Sequence, residues 1–217
     1  MIAENIRKIH SELPSGVCLV AVSKFHPVEA VLEAYKAGQR VFAESRPQEL
    51  AAKVPQLPAD ISWHFIGHLQ TNKLKKVLPF ASLVQSIDSR HLLDAVEAWG
   101  AANSRVVDIL LEVHISSDAA KQGFSAEETL SILRTAKEYP HVRFRGLMGM
   151  ATLTDDETLI RSEFARLKAL FSIAGEACPA KEAFDTLSMG MSSDWRMAVE
   201  EGSTMVRIGT AIFGERE

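Results

Sequence analysis

The sequence predicts a (β/α)₈ (TIM) barrel, an α/β fold in which eight parallel strands alternate with helices. Two observations predict it. Short apolar runs typical of buried strands alternate with segments whose apolar residues recur at helical spacing, and this order repeats eight times. One of the strands also has polar side chains along a single face, as expected where that face lines a closed interior. An open, doubly wound sheet with one or two false strands is the alternative that this pattern leaves open.

The first predicted strand is Val17–Ser23 (VCLVAVS), a continuous apolar run that a helix at Ile2–Leu13 precedes. The seven further strands follow the same pattern and lie near Arg40–Ala43, Ser62–Gly67, Leu83–Ile87, Val106–Ser116, Val142–Met150, Ala183–Met189 and Thr204–Gly209. The segments between them have helical periodicity and lie near Val28–Ala37, Gln48–Val54, Gln70–Leu78, Arg90–Ala101, Ala126–Tyr139, Asp156–Ala174 and Asp194–Glu201.

The strand Val106–Ser116 indicates which side of the sheet is the interior. Alternation puts Val107, Ile109, Leu111, Val113 and Ile115 on one wholly apolar face, which we expect to pack against the helices. The opposite face is mixed and carries Asp108, Leu110, Glu112 and His114. We expect this face to line the barrel, with its polar groups nearest the mouth.

Length and composition limit the domain organisation and the function classes. A chain of 217 residues with 47% hydrophobic residues is enough for one core and small for two, so we expect a single domain over residues 1–217. The 24 Lys and Arg residues against 28 Asp and Glu residues argue against a nucleic-acid partner. We expect no membrane segment, because no stretch approaches the ~20 apolar residues that a span needs. Two cysteines and no signal-peptide pattern predict a cytoplasmic protein.

A lysine follows the first strand, at the end of the motif AVSK, Ala21–Lys24. In a (β/α)₈ barrel the functional groups collect at the carboxyl ends of the strands. Alternation puts Lys24 on the same face as Val22 and Val20, so its amine can lie over the barrel mouth. A partly desolvated lysine amine is a nucleophile suited to Schiff-base formation. The alternative is a lysine that only extends from the strand end to solvent.

Two further segments predict an anion site beside this lysine. LSMGMSSD, Leu187–Asp194, leads from the seventh strand into a helix, where Ser192 or Ser193 can cap the helix and bind phosphate. GSTMVRIGTAIFG, Gly202–Gly214, contains the eighth strand and a turn at Gly209–Thr210. Loops after strands seven and eight are the recurrent phosphate site of such barrels. The alternatives are an ordinary serine cap and an interior ion pair between Arg207 and Glu112.

Together these segments bring an amine, a phosphate site and a guanidinium to one barrel mouth, and this set suits pyridoxal 5′-phosphate. The chain also resembles the pyridoxal phosphate homeostasis protein family, a single-domain relative of the alanine racemase barrel of fold type III. The motifs that carry the resemblance are AVSK at Ala21–Lys24, AGQRVFAES at Ala37–Ser45, WHFIGHLQTNK at Trp63–Lys73, RGLMGM at Arg145–Met150, LSMGMSSDW at Leu187–Trp195 and GSTMVRIGTAIFGER at Gly202–Arg216.

The resemblance implies a role for each site residue. Lys24 matches the lysine that holds the cofactor as a Schiff base, and Arg207 matches the arginine that faces the pyridine nitrogen. Ser192, Gly209 and Thr210 match the phosphate-binding positions. The remaining members of the implied cofactor site are Met191, Ser188 and His64. For His64 a hydrogen-bonded interior histidine is an equal alternative. The family segment FGEN reads FAES here, Phe42–Ser45, which puts in doubt any contact assigned to its asparagine.

Two function classes compete on these residues. In the first, the protein binds pyridoxal phosphate, buffers it and delivers it to apoenzymes, without substrate turnover. In the second, it is a racemase-like enzyme. An arginine at the pyridine nitrogen weakens the electron sink, and racemases of this fold add a tyrosine from a further domain and a partner subunit. We expect no such domain beyond Glu217 and no tyrosine at the mouth, so the sequence favours a monomeric binding protein.

Overall fold

The computed structural model describes residues 1–117 and 122–215, and its eight parallel strands close into a barrel. Each strand pairs with its neighbours in chain order, and the first pairs with the last. The strands are β1 Cys18–Val22, β2 Val41–Glu44, β3 Ser62–Phe65, β4 Leu83–Ile87, β5 Val107–Glu112, β6 Val142–Met148, β7 Thr186–Ser188 and β8 Met205–Ile208. The barrel prediction is confirmed, and the open-sheet alternative is wrong.

Helices follow the strands around the outside of the barrel. In chain order they are α1 Ile2–Glu12, α2 Val28–Lys36, α3 Pro47–Lys53, α4 Leu74–Val77, α5 Arg90–Ala102, α6 Ala126–Arg134, α7 Glu157–Ala177, α8 Trp195–Glu200 and α9 Thr210–Phe213. The segment predicted as one helix over Gln70–Leu78 is a 3₁₀ turn at Thr71–Lys73 followed by the single turn of α4. No helix in these described ranges is long and apolar enough to span a membrane.

Most strands are shorter than the sequence predicts, and two of them lose four residues or more. The predicted strand Val106–Ser116 ends at Glu112, because beyond it Val113 makes only an isolated bridge with Phe124. The predicted strand Ala183–Met189 begins at Thr186, because Lys181–Ala183 forms a 3₁₀ turn. The apolar run in the sequence is therefore longer than the hydrogen-bonded strand in both cases.

The core has two parts, and the predicted faces of β5 separate them correctly. A smaller interior cluster contains Leu110 and fills the barrel together with Val20, Val22, Ala43, Leu83, Met148 and Met205. Ile109 and Leu111 belong to the larger cluster between the strands and the helices. A closed barrel of this size is filled by side chains, so a ligand can enter only at its ends.

The ladder between β5 and β6 shifts by one residue. Ile109 pairs with Phe144 and Leu110 with Gly146, which leaves Arg145 as an extra residue. Gly146 has φ of 150°, and a Cβ there would overlap the carbonyl oxygen of Thr186 on the neighbouring strand. Only glycine fits this position, because both the dihedral angle and the space exclude a side chain.

We therefore expect Gly146→Ala to reduce the free energy of unfolding by about 4 kcal/mol or more. Gly16→Ala is the matched control, since Gly16 also has positive φ but has open space where a Cβ would stand. That control should lose only about 1–2 kcal/mol from the unfavourable φ. Urea unfolding of both variants measures the difference, and equal losses would contradict the assigned role of the β6 shift.

Candidate functional site

A cavity of about 460 Å³ opens at the carboxyl ends of the strands. This volume is within the ~300–1,000 Å³ typical of small-molecule sites. The residues that line it come from the interior strand ends and the loops after β6, β7 and β8: Val22, Lys24, Ile66, Met148, Met150, Leu153, Met191, Ser192, Ser193, Arg207, Gly209 and Thr210. The fold thus brings together Lys24, Met191, Ser192, Arg207, Gly209 and Thr210, as the sequence predicts for this end of the barrel.

Lys24 reaches the cavity because buried hydrogen bonds fix the backbone of the residue before it. The hydroxyl of Ser23 donates to Glu44 Oε1 at 2.7 Å, and Lys53 Nζ donates to the same oxygen at 2.7 Å and to the Ser23 carbonyl at 2.8 Å. Burial raises the pKa of the Glu44 carboxyl, and Lys53 opposes the rise. Removing either member would leave a buried charge without its partner, which is costly. This pair fixes the strand end from which the Lys24 side chain extends.

The backbone on the other side of Lys24 is also constrained. Phe25 adopts φ of 68°, which is unusual for a residue other than glycine, and its amide donates to Glu49 Oε2 at 2.8 Å. A strained backbone position next to a functional residue is maintained only when the surrounding contacts determine it. Glu44, Glu49 and Lys53 are supporting residues that the sequence reasoning missed. The one available signal was the placement of Glu44 at the end of an otherwise apolar strand.

Arg207 lies inside the barrel on β8 and is 4% exposed. Its guanidinium donates to Ser188 Oγ at 2.6 Å and to the carbonyl of Gly149 at 3.1 Å. It makes no salt bridge with Glu112 or with any other carboxylate that the structure describes, so the predicted interior ion pair is wrong. Burial lowers the pKa of Arg207 to about 10, while Glu112 and Asp194 oppose the fall, so the charge is kept at neutral pH.

Ser192 does not cap α8, the helix that follows it in the sequence, contrary to the alternative that the sequence allowed. Helix α8 begins at Trp195 and its cap residue is Asp194, whose carboxylate accepts from the amide of Met191. The hydroxyl of Ser192 instead accepts from the amides of Gly209 and Ala211, at 3.3 and 3.4 Å. Ser192 therefore lies against the turn after β8, where two backbone N–H groups converge beside the cavity.

At Gly209 close packing of the backbone, rather than the dihedral angle, favours glycine, since its φ is −115°. A Cβ at this position would come within 3.2 Å of the carbonyl oxygen of Val22 and 3.4 Å of the Val22 Cβ. The turn after β8 consequently packs against the end of β1, and the backbone itself forms this wall of the cavity. Glycine permits such a close approach of backbone to a ligand.

His64 and Ser188 are the two predicted site residues that do not line this cavity. His64 lines a separate cavity of about 260 Å³ at the amino-terminal end of the barrel. Its Nδ1 is 3.0 Å from Gln85 Nε2, so the alternative of a hydrogen-bonded interior histidine is the one the geometry favours. Ser188 is buried below the cavity and reaches it only through its hydrogen bond with Arg207.

Apolar lining residues form the part of the cavity that sequence reasoning missed. Ile66 and Met148 lie at its base, while Met150 and Leu153 follow β6 at its rim. Leu153 is 91% exposed, which is unusual for a leucine. Nothing in their spacing distinguishes these residues from ordinary core positions, because apolar residues at strand ends carry no chemical signal of their own.

Glu112 ends β5 inside the barrel and is 3% exposed. It lines a smaller neighbouring cavity of about 260 Å³ that shares Met150, Leu153 and Met191 with the larger one. Burial raises the pKa of Glu112 to about 7, and Asp88 adds to the rise, while Arg207 and His68 oppose it. The mouth therefore has a carboxyl that changes its charge close to neutral pH, with the Arg207 guanidinium near enough to oppose the rise in its pKa.

The chain matches known proteins along its whole length. A family model described as alanine racemase, N-terminal domain, matches residues 1–217. The pyridoxal phosphate homeostasis protein of Pasteurella multocida is 38% identical over 206 residues, which cover 94% of this chain and 88% of that protein. The chain belongs to this family. The resemblance inferred from the motifs is thereby confirmed.

The family extends from bacteria to humans. The human pyridoxal phosphate homeostasis protein is 37% identical over 214 residues, covering 92% of this chain and 76% of that protein. Among solved structures, PipY of Synechococcus elongatus with pyridoxal phosphate bound has a TM-score of 0.90 at 37% identity, with 99% of this chain and 100% of that chain covered. Alanine racemase of Corynebacterium glutamicum shares the fold, with a TM-score of 0.79 at 14% identity over 60% of its length.

The raised pKa of Glu112 predicts a pH-dependent cost of folding. Below about pH 4.5, the ordinary value, the carboxyl is protonated whether the chain is folded or unfolded. As the pH rises to about 7, the unfolded chain loses this proton and the folded chain keeps it. The contribution of Glu112 to the free energy of unfolding therefore falls. Glu112→Gln removes the effect. Relative to the unmodified protein, the variant should gain up to about 3 kcal/mol between about pH 5 and pH 8.

Urea unfolding at several pH values measures this gain, with Glu127→Gln on the exposed face of α6 as the matched control. The control variant and the unmodified protein should keep a constant difference in stability. A constant difference for Glu112→Gln as well would show that the Glu112 carboxyl is not perturbed in the folded protein.

Proposed function

We propose that this protein binds pyridoxal 5′-phosphate at the carboxyl end of its barrel and serves in the homeostasis of that cofactor. The observation that carries the proposal is the convergence of a lysine amine, a buried guanidinium and the hydroxyls of Ser192 and Thr210 on one cavity. The named function of relatives at 37–38% identity supports it. When bound, the cofactor supplies an aldehyde that a lysine amine can attack, and a phosphate with a net negative charge.

The residues present fit this group. The cavity contains Lys24 and a buried, protonated Arg207 that no described carboxylate neutralises within salt-bridge distance. Burying a cation without a counter-charge is costly, so the site favours an anionic or strongly accepting ligand. The turn at Gly209, where a Cβ would crowd Val22, forms one wall of the cavity, and the hydroxyls of Ser192 and Thr210 beside it suit a phosphate. Ile66 and Met148 offer apolar surface for an aromatic ring.

Each residue then has one task. Lys24 would supply the amine that attaches the cofactor. Ser192, Gly209 and Thr210 would hold the phosphate at the turn after β8. Arg207 would donate a hydrogen bond to the pyridine nitrogen, and because its pKa is about 10 it would not readily yield a proton there. Met191 would contact the bound group from the loop after β7.

The relatives are named as homeostasis proteins, and we infer that this chain likewise works without substrate turnover. A racemase needs a second acid or base across from the lysine. Both tyrosines of the chain are engaged elsewhere: the Tyr35 hydroxyl donates to Asp60, and the Tyr139 hydroxyl donates to Asp94. A guanidinium at the pyridine nitrogen also disfavours the protonated ring that stabilises a carbanion.

Delivery of the cofactor to apoenzymes in the cytoplasm, by a monomer, completes the proposal. Cys18 and Cys178 are both free thiols, which supports a reducing compartment. The exposed side chains of Met150 and Leu153 line the cavity, and such a rim offers a contact surface for a recipient.

Reduction with borohydride tests the role of Lys24. With pyridoxal phosphate added, the protein should acquire visible absorption, and reduction should attach the cofactor to the peptide that contains Lys24. Lys24→Arg should lose both, because a guanidinium keeps the charge but is not a nucleophile. Lys36→Arg, on the exposed face of α2, is the control that should label like the unmodified protein. Labelling of another lysine with Lys24 unmodified would contradict the site.

Exchange of the α-proton of amino acids tests the absence of turnover. We expect the cofactor-loaded protein to incorporate deuterium into alanine or serine far more slowly than the roughly 1–1,000 s⁻¹ of typical enzymes. Lys24→Arg incubated with the same cofactor gives the background rate. An authentic alanine racemase provides the positive control. Exchange at rates in the enzymatic range would establish a racemase-like function instead.

A further inference from the structure

A chain of buried side-chain hydrogen bonds runs down the barrel interior from Arg207 to the opposite end. Arg207 Nη1 donates to Ser188 Oγ at 2.6 Å, and Ser188 Oγ donates to Gln85 Oε1 at 2.6 Å. Gln85 Nε2 is in turn 3.0 Å from His64 Nδ1. All four residues are buried: Gln85 and Ser188 are 0% exposed, Arg207 4% and His64 6%. The members come from four strands, β8, β7, β4 and β3.

Donors and acceptors in this series of hydrogen bonds follow one direction, from Arg207 to His64. A guanidinium can only donate, so the Ser188 oxygen accepts from Arg207 and its single proton goes to Gln85. Gln85 must therefore turn its carbonyl oxygen toward Ser188 and its NH₂ group toward His64. His64 must accept at Nδ1, which requires a neutral ring protonated at Nε2. Burial lowers the pKa of His64 to about 4, so the ring is neutral at physiological pH.

Reversal of the Gln85 amide would turn its NH₂ group toward the Ser188 hydroxyl, so the Ser188 proton would lose the acceptor that it has in the structure. Its carbonyl oxygen would face His64 Nδ1, and the ring would then need the opposite tautomer to bond with it. Buried polar groups without partners are costly, so donation from Arg207 to Ser188 selects one orientation of the amide, and His64 Nδ1 anchors that orientation by accepting from the NH₂ group. The Ser188 proton then has one acceptor, and the lone pairs left on Ser188 Oγ determine where Arg207 Nη1 lies.

We propose that Gln85 and His64 are positioning residues that, through Ser188, hold the Arg207 guanidinium in the orientation in which it meets the cofactor. The inference rests on the proposed function, because Arg207 acts on the cavity only when a ligand is there. It extends the site to two residues on β3 and β4 that do not touch the cavity. Neither Gln85 nor His64 lines the cavity that contains Arg207.

The protein contains a second buried glutamine that provides a matched control. Gln39 is also a buried glutamine, 2% exposed, and its Oε1 also pairs with a histidine, His10, at 3.0 Å. Its NH₂ group donates to the carbonyls of Leu19 and Val41, and the structure records no bond from it toward Arg207 within the described ranges. Gln39→Leu and Gln85→Leu thus remove the same side chain with comparable hydrogen bonds, and only the second is linked to the cavity.

The experiment measures the dissociation constant of pyridoxal phosphate and the visible absorption spectrum of the bound cofactor for the full chain. Gln85→Leu should weaken binding about 3- to 10-fold and shift the spectrum, since one fixed hydrogen bond of Arg207 is released. Gln39→Leu should leave both unchanged. Arg207→Lys should shift the spectrum in the same direction, and Gln85→Leu should add nothing in that background, because coupled residues are not additive.

The outcomes distinguish failure of the proposed function from failure of the positioning role. If the unmodified protein gives no cofactor spectrum, the proposed function fails. If it binds the cofactor and Gln85→Leu behaves like Gln39→Leu, or adds its full effect to Arg207→Lys, the positioning role fails and the proposed function stands. If Gln85→Leu does not fold, Ser188→Ala replaces it, with the buried Ser203→Ala as its control. Among the described residues the Ser203 hydroxyl bonds with backbone groups alone, the carbonyls of Leu187, Met189 and Met205 and the amide of Met205. Ser188→Ala should therefore shift the spectrum and Ser203→Ala should not.

Discussion

Closure of the barrel between β1 and β8 is the constraint on which the site depends. Val20 pairs with Arg207 and Ala21 with Ile208 in this last ladder, so residues far apart in the chain become neighbours. Continuing the register past the strands places the turn at Gly209 beside Val22, where a Cβ would touch the Val22 carbonyl oxygen. Lys24 extends from the same edge. The amine, the guanidinium and the amides after β8 meet because the first and last strands are hydrogen-bonded.

Closure also creates the electrostatic character of the site. The interior has room for few side chains, and those at its upper end include a guanidinium, a carboxyl and a lysine amine. Desolvation moves the pKa of Arg207 down to about 10 and that of Glu112 up to about 7, so both groups shift toward their neutral forms. Near neutral pH the cationic groups are incompletely balanced. This imbalance suits an anionic ligand with a hydrogen-bond acceptor near Arg207.

Support for the site comes from polar groups below and beside it. The Glu44–Lys53 pair holds the end of β1 under Lys24, and the Gln85–Ser188 bond lies under Arg207. Both depend on buried polar side chains, which are costly unless all partners are present. Glu44, Gln85 and Ser188 lie on strands and Lys53 lies on α3, so regular secondary structure rather than loops sets their positions. The candidate site at this end of the barrel thus rests on residues that do not line its cavity.

The sequence by itself determined the fold class, the strand order and the interior face of β5, since periodicity and alternation follow directly from backbone geometry. Six of the eight residues that the sequence predicts for the cofactor site line the cavity, because strand ends in such a barrel share one mouth. Tertiary structure decided what alternation does not encode. Arg207 pairs with Ser188 rather than Glu112, Ser192 meets the start of α9 rather than that of α8, and His64 lies at the far end. Hydrogen-bond partners across a barrel depend on how far neighbouring strands are shifted relative to one another. The sequence alone does not determine this register.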